Sequence, residues 1–314
     1  MVVDRATGHV EHGVFADVAG LMSPGDALVL NTTRVMRARL LGTRDSGAPA
    51  EVLLLRAVNG DRRFEAMVHP GGKLHPGRVV HVAPELDVVI EEKTERRTRI
   101  VRLDTPLATD EALERYGHVP LPPYIARADT ARDADRYQTV YARESGSVAA
   151  PTAGLHFTLP LLDALEVRGV QRVDLVLHVG AGTFKPVENE DPAQHVMHEE
   201  WFALGEAAAR TLNATRAAGA SIWAVGTTSA RTLESVASPE GRFDARSGET
   251  RLFIRPPYDW RAVDRLITNF HLPRSTLLML VAAFAGYELT MEAYRIAVDS
   301  GYRFYSYGDA MVVI

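Results

Sequence analysis

Between residues 38 and 106, five short runs rich in Val, Leu and Ile follow one another with only turn signals between them. The runs are 51–58, 63–69, 78–82, 86–92 and 99–103, punctuated by Asn59-Gly60, Pro70-Gly71-Gly72 and Pro76-Gly77. Strands this closely spaced have no helix to carry a parallel crossover, so they must pair antiparallel. Closing them into a small barrel removes exposed edges. After Gln138 the texture changes. Helical patterns at 161–168, 204–217, 229–236, 276–285 and 292–299 alternate with strand patterns at 172–179, 221–225 and 265–269. Residues 26–31 read as a further strand ahead of the barrel. Such alternation requires a sheet covered by helices. The fold expected is therefore α/β: a layered α/β/α domain interrupted by an inserted small antiparallel β-barrel. The α/β catalytic domain takes residues 1–37 and 119–314, and the barrel takes 38–118. A short helical patch at 110–116 and the connector Pro120-Leu-Pro-Pro123 lie near the second junction.

Composition narrows the chemistry. With 314 residues, 46% hydrophobic and 24% charged, the chain can bury a sizeable core. It has no Cys, which excludes disulfides, a thiolate nucleophile and cysteine-ligated zinc. The net charge of -5 gives no overall basic field for nucleic acid, although Arg far outnumbers Lys and a local basic face is compatible with it. The N-terminus lacks a signal-peptide pattern, and the apolar run 277–285 is too short to span a bilayer. A cytoplasmic protein without a membrane partner is expected.

Several segments carry polar groups at strand ends. Leu177-His-Val-Gly-Ala-Gly-Thr-Phe184 ends a strand with two glycines, but Lys185 and Pro186 follow and no helix begins, so it is not a dinucleotide fingerprint. Its glycines allow a tight turn or let a ligand approach the bare backbone, with His178 and Thr183 as polar contacts. His195 and His198, followed by Glu199 and Glu200, would share a helical face as metal ligands. Pro192 argues against a helix there, and no third ligand is placed by spacing. In Val225-Gly-Thr-Thr-Ser-Ala-Arg231 a strand ends at a glycine and three hydroxyl residues open a helix. Thr228 or Ser229 can cap it; three hydroxyls plus an Arg also fit an anion cradle. Ile267-Thr-Asn-Phe-His271-Leu-Pro-Arg-Ser-Thr276 repeats the plan, with Ser275 as cap. Two such strand ends resemble the crevice where open α/β sheets bind ligands. Replacing His271 by alanine is expected to cut turnover more than stability.

Taken together, the motifs identify a family. Leu30-Asn-Thr-Thr-Arg-Val35, Met197-His-Glu-Glu-Trp201 and the blocks PTAGLHF, HVGAGTF, GTTSARTLES, NFHLPRSTLLMLVAAFAG and YRFYSYGDAM resemble the S-adenosylmethionine:tRNA ribosyltransferase-isomerases of queuosine biosynthesis, over essentially the whole chain. The resemblance implies an α/β domain joined to an inserted barrel. It implies transfer of the ribosyl part of S-adenosylmethionine to 7-aminomethyl-7-deazaguanine at the wobble position of a tRNA. Isomerisation then gives epoxyqueuosine, with release of adenine and methionine. S-adenosylmethionine is consumed as a substrate; no other cofactor and no metal is expected, and the protein is expected to act as a monomer. The alternative is a non-catalytic tRNA-binding relative. Family chains usually carry a longer segment ahead of Val2-Val3-Asp4-Arg5, and an upstream extension is expected to raise stability or activity. They also usually have Pro where Arg37 stands here.

The chemistry requires a base for the proton beside the sulfonium, a donor for the departing adenine and a neutral amine. Lying inside the family blocks, His156, His178, His198, Glu200, His271 and Asp309 are the expected catalytic groups. Spacing does not divide them into bases and acids. Gly180, Gly182, Thr183, Thr227, Thr228, Arg231, Asn269, Arg274 and Ser275 are expected to cradle the substrate, with Arg231 or Arg274 on the methionine carboxylate. Arg34 and Arg39 are the expected RNA-phosphate contacts.

Overall fold

A computed structural model describes residues 1–122, 124–125, 127–180, 191–195 and 197–314. The chain divides into two compact units, one of Met1–Thr33, Thr139–Glu144 and Pro151–Ile314, the other of Arg34–Gln138 and Ser145–Ala150.

The first unit is built on a nine-stranded mixed sheet. Its strands are β1 (Val2–Val3), β2 (Val10–Glu11), β3 (Ala27–Asn31), β12 (Gln171–Leu177), β13 (Glu200–Leu204), β14 (Ile222–Val225), β15 (Arg246–Thr250), β16 (Arg265–Asn269) and β17 (Ala310–Val313). Their order is β15-β13-β12-β3-β14-β16-β17-β1-β2. The central strands β12, β3, β14 and β16 are parallel. Burial on both faces explains why β3 and β14 are unbroken apolar runs rather than alternating ones. One side of the core gathers Leu28, Leu30, Trp223, Val225 and Ile267 from the sheet with Phe157, Leu162 and Leu165 from the covering segments. At the amino ends of β3 and β14, buried Asp26 accepts bonds from Trp223 Nε1 at 2.9 Å and from the Ser221 and Ser23 amides at 2.8 and 3.0 Å. This carboxylate is a structural tie between two strands, far from the edge where the other polar groups collect.

The second unit holds a closed barrel of β5 (Arg39–Arg44), β6 (Pro49–Ala57), β7 (Arg63–His69), β8 (Val79–Ala83), β9 (Leu86–Lys93) and β10 (Arg99–Asp104). Neighbouring strands are antiparallel, in the order β10-β7-β6-β5-β8-β9. Alternate residues such as Val52, Leu54, Val88, Ile90, Val101 and Leu103 fill the interior, as the period of two demands. Two further short strands, β4 (Thr33–Val35) and β11 (Glu144–Ser147), lie outside these sheets.

Several boundaries differ from the sequence reading. Leu204 closes strand β13, and the helix expected from that residue starts at Glu206 after Gly205. The helix expected from residue 292 starts at Tyr287, directly after Gly286. Among the described residues no single helix is long and apolar enough to cross a membrane.

Candidate active site

The parallel core places the carboxyl ends Leu177, Asn31, Val225 and Asn269 along one edge of the sheet. Strand β13 runs antiparallel to β12 and β17 antiparallel to β16, so Glu200 and Ala310 open at that same edge. Most of the residues singled out in this unit are thereby brought together by strand direction alone.

Asn269, 2% exposed, ends β16. Its Nδ2 lies 3.1 Å from His156 Nε2 and donates to the Tyr305 carbonyl at 3.2 Å. His156 stands at the end of a short 3₁₀ turn, with its ring stacked on Phe15 at 5.0 Å. Burial lowers its pKa from the ordinary histidine value; Asp309 opposes that shift. Asp309 is itself held by Arg303, whose amide and guanidinium donate to it at 2.8 and 2.9 Å, and that bonding lowers its pKa. A cavity of about 480 Å³ opens here, lined among others by His12, Phe15, His156, Tyr302 and Asp309.

Further along the edge, His178 Nδ1 lies 2.8 Å from Thr33 Oγ1 and its ring stacks on Trp201 at 5.0 Å. Burial lowers its pKa, against a raising contribution from Glu144. His271 Nε2 is 2.7 Å from Thr268 Oγ1, and its amide donates to Tyr294 Oη at 2.8 Å. Burial pushes its pKa down to about 4. All three rings are therefore neutral at pH 7.

Glu200 and Arg231 occupy each other. Arg231 Nη1 donates to Glu200 Oε2 at 2.5 Å, and their side chains are 7% and 4% exposed. Glu200 Oε1 also accepts from the Gly180 amide at 3.0 Å. The guanidinium expected to grip a substrate carboxylate thus has a protein carboxylate as its partner. The Gly226–Val236 helix starts at a glycine with φ 85, a value that favours glycine. Thr228 and Ser229 do not cap it; Ser229 Oγ donates back to the Val225 carbonyl at 2.7 Å, and the N-cap makes no side-chain bond. Thr227 is buried in the first turn beside them. Ser275 does cap, accepting from the Leu278 amide at 3.1 Å, while neighbouring Arg274 is exposed with φ 55.

Other expected residues stand elsewhere. Gly182 and Thr183 lie outside the described residues. His198 is exposed. Arg34 and Arg39 belong to the barrel unit; Arg39 makes a two-pronged pair with Glu51, both bonds at 2.9 Å, and Arg34 faces Glu114 at 3.9 Å. Thr33, Trp201 and Phe15, which the sequence reading did not assign, touch the histidines that it did, and the Tyr305 carbonyl accepts from Asn269.

The metal alternative finds no support in the geometry. His195 packs against Phe253, Glu199 pairs with Arg251 and Glu200 pairs with Arg231. Among the described residues no group of three His, Asp or Glu could hold a metal ion. Turnover is expected to be unchanged after exhaustive treatment with a chelator; loss of activity restored by a divalent ion would revive the metal reading.

Comparison with known proteins adds the following. The family model described as Queuosine biosynthesis protein matches residues 1–313. The S-adenosylmethionine:tRNA ribosyltransferase-isomerase of Syntrophomonas wolfei is 51% identical over 317 residues, covering 100% of this chain and 90% of that relative. The protein of the same name from Symbiobacterium thermophilum is 51% identical over 316 residues, covering 100% of this chain and 92% of the relative. The crystal structure of an S-adenosylmethionine tRNA ribosyltransferase from Thermotoga maritima aligns with a TM-score of 0.55 at 37% identity, covering 100% of this chain and 91% of that one.

Proposed function

The chain belongs to the queuosine biosynthesis protein family, and from that membership we propose that it is an enzyme with the activity its relatives are named for. It transfers the ribosyl part of S-adenosylmethionine to the aminomethyl group of 7-aminomethyl-7-deazaguanine at the tRNA wobble position. It then isomerises the sugar to an epoxycyclopentane, giving epoxyqueuosine-tRNA and releasing adenine and methionine. The observation that carries this reading is the convergence of neutral His156, His178 and His271 with Asp309 and Asn269 on one sheet edge, in a chain matched end to end by the family.

The reaction needs proton transfers rather than redox or Lewis-acid steps. The positive sulfur acidifies the neighbouring C–H, and a neutral imidazole is a competent acceptor near pH 7. We assign His156, His178, His271 and Asp309 to proton handling, and the first turn at Thr227 and Thr228 with Gly180, Asn269, Arg274 and Ser275 to the substrate cradle. Glu200 and Arg231 act as a pair that fixes the Gly180 amide. Arg34 and Arg39 are the phosphate contacts proposed for the barrel unit, and His198 is a further candidate outside the cluster. S-adenosylmethionine is consumed, and no other cofactor enters. The protein works as a monomer in the cytoplasm. Relatives aligned over the whole chain at about half identity give no support to the non-catalytic alternative.

The test is direct. Protein, S-adenosylmethionine and tRNA bearing the aminomethyl base are incubated, and the digested nucleosides are read by mass spectrometry. Epoxyqueuosine with stoichiometric adenine and methionine is expected. A bound tRNA left unmodified would favour the non-catalytic alternative.

A further inference from the structure

We propose that Asn269 is a positioning residue that fixes His156 in the tautomer with its proton on Nδ1, so that His156 faces the departing adenine as a neutral hydrogen-bond donor and is not the base that removes the proton beside sulfur. The adenine-facing part rests on the activity proposed above; the tautomer rests on geometry alone.

Asn269 Nδ2 sits between two acceptor positions, the Tyr305 carbonyl at 3.2 Å and His156 Nε2 at 3.1 Å. A carbonyl oxygen only accepts, so the amide must turn its nitrogen toward Tyr305. The flipped amide would set two oxygens 3.2 Å apart with no proton between them. Asn269 keeps this orientation although its own Oδ1 is buried with no hydrogen-bond partner among the described residues. The second Nδ2 proton then points to His156 Nε2, which must present a lone pair. A neutral imidazole carries one proton, and it is left on Nδ1.

The carbonyl that sets this arrangement is itself held. Tyr305 has φ 73, a left-handed conformation uncommon for a residue with a Cβ. Its amide donates to the Phe270 carbonyl at 3.0 Å, and its carbonyl also accepts from the Gly308 amide at 3.0 Å. Gly308 cannot carry a side chain, because a Cβ would collide with the backbone of Arg303 and Phe304. The loop thus uses glycine where the backbone is crowded and holds Tyr305 in a conformation that glycine would adopt more readily.

On the other side of the imidazole, stacking on Phe15 fixes the ring plane, and the ring lines the cavity. Among the described residues Nδ1 has no protein partner. It is a donor presented to a ligand with a lone pair, such as a purine ring nitrogen. As the bond between ribose and adenine breaks, its electron pair stays with the base. The Nδ1–H bond stabilises that charge, and a proton from solvent neutralises it. A neutral histidine donating to a developing anion is an established catalytic arrangement. Proton removal beside sulfur then falls to His178 or His271, whose rings are anchored on Thr33 and Thr268 instead.

Nitrogen-15 NMR of protein labelled at histidine tests this, with the His156 signals identified by their loss in His156→Gln. The wild type is expected to show a protonated Nδ1 and a bare Nε2 at pH 7.5. In Asn269→Asp the ionised carboxylate can only accept, so the proton should move to Nε2. The same variant should lose about 10²-fold in kcat, the usual worth of one lost donor at a developing charge, while KM for S-adenosylmethionine changes by less than about threefold. A wild-type signature with the proton on Nε2 overturns the proposal, and it decides the matter even if the variant is unstable. An Asn269→Asp protein with unchanged tautomer and unchanged kcat overturns it as well. A wild type with the expected tautomer and no product would sink the proposed activity and the adenine-facing role, and so is distinguishable from failure of the tautomer assignment.

Discussion

Glu200→Ala is expected to lower stability by about 3–5 kcal/mol, the usual cost of stripping the partner from a buried ion, and to lower the melting temperature by roughly 10 °C. The reason lies in burial. The Arg231 side chain is 7% exposed, and among the described residues its Nε and Nη2 have no hydrogen-bond partner and Glu200 is the carboxylate that balances its charge. Removing that carboxylate leaves a guanidinium in a dry site and also frees the Gly180 amide. Replacing both members by apolar residues of similar volume should recover much of the loss, because no charge then remains to be solvated. Urea melts of the single and double variants measure this. A single variant as stable as the wild type would mean that water reaches the guanidinium.

His156→Ala should leave the fold nearly intact and cut turnover by about 10²–10⁴-fold. Its ring gives up the stacking contact with Phe15 and the bond to Asn269 Nδ2, each worth about 1 kcal/mol. His271→Ala gives up its bond to Thr268, and the same contrast of turnover over stability is expected there. The pH profile carries a sign. Burial lowers the pKa of His156, His178 and His271 alike; at His156 Asp309 raises it, while Arg303 and the N-terminal amine lower it. Whichever of His178 and His271 serves as base is held toward its neutral form and takes up its proton below the ordinary histidine range. The acid limb of kcat/KM should therefore lie below pH 6.5, the ordinary histidine value. A limb centred at or above that value would remove these histidines as the base.

The barrel was legible because its strands alternate: β9 and β10 bury every second residue, and the sequence shows that period directly. The central strands were legible as apolar runs bounded by polar residues. Strand β15 was not, because Arg-Ser-Gly-Glu-Thr carries no apolar residue and its pairing with β13 is what makes it a strand. Strand β13 was masked by the His and Glu residues ahead of it. At the site, residue types and strand ends were readable, whereas partners were not. Asn269 and His156 are 113 residues apart, and Glu200 and Arg231 are 31 apart; spacing says nothing about such pairs. The hydroxyls after Val225 fit either a cap or an anion cradle by sequence; the helix starts at Gly226, so Ser229 lies inside it and bonds back to the Val225 carbonyl instead of capping.

The central claim is that the chemistry takes place at the carboxyl edge of the nine-stranded sheet, around His156 and Asn269. A photoreactive azido-adenine analogue of S-adenosylmethionine, irradiated on the protein and mapped by peptide mass spectrometry, tests it most directly. Label is expected on the segments carrying His156, Asn269 to Ser275 and Tyr305 to Asp309, and it should be displaced by unlabelled S-adenosylmethionine. Label confined to the barrel strands, or to the amino edge around Asp26 and Ser221, would contradict it.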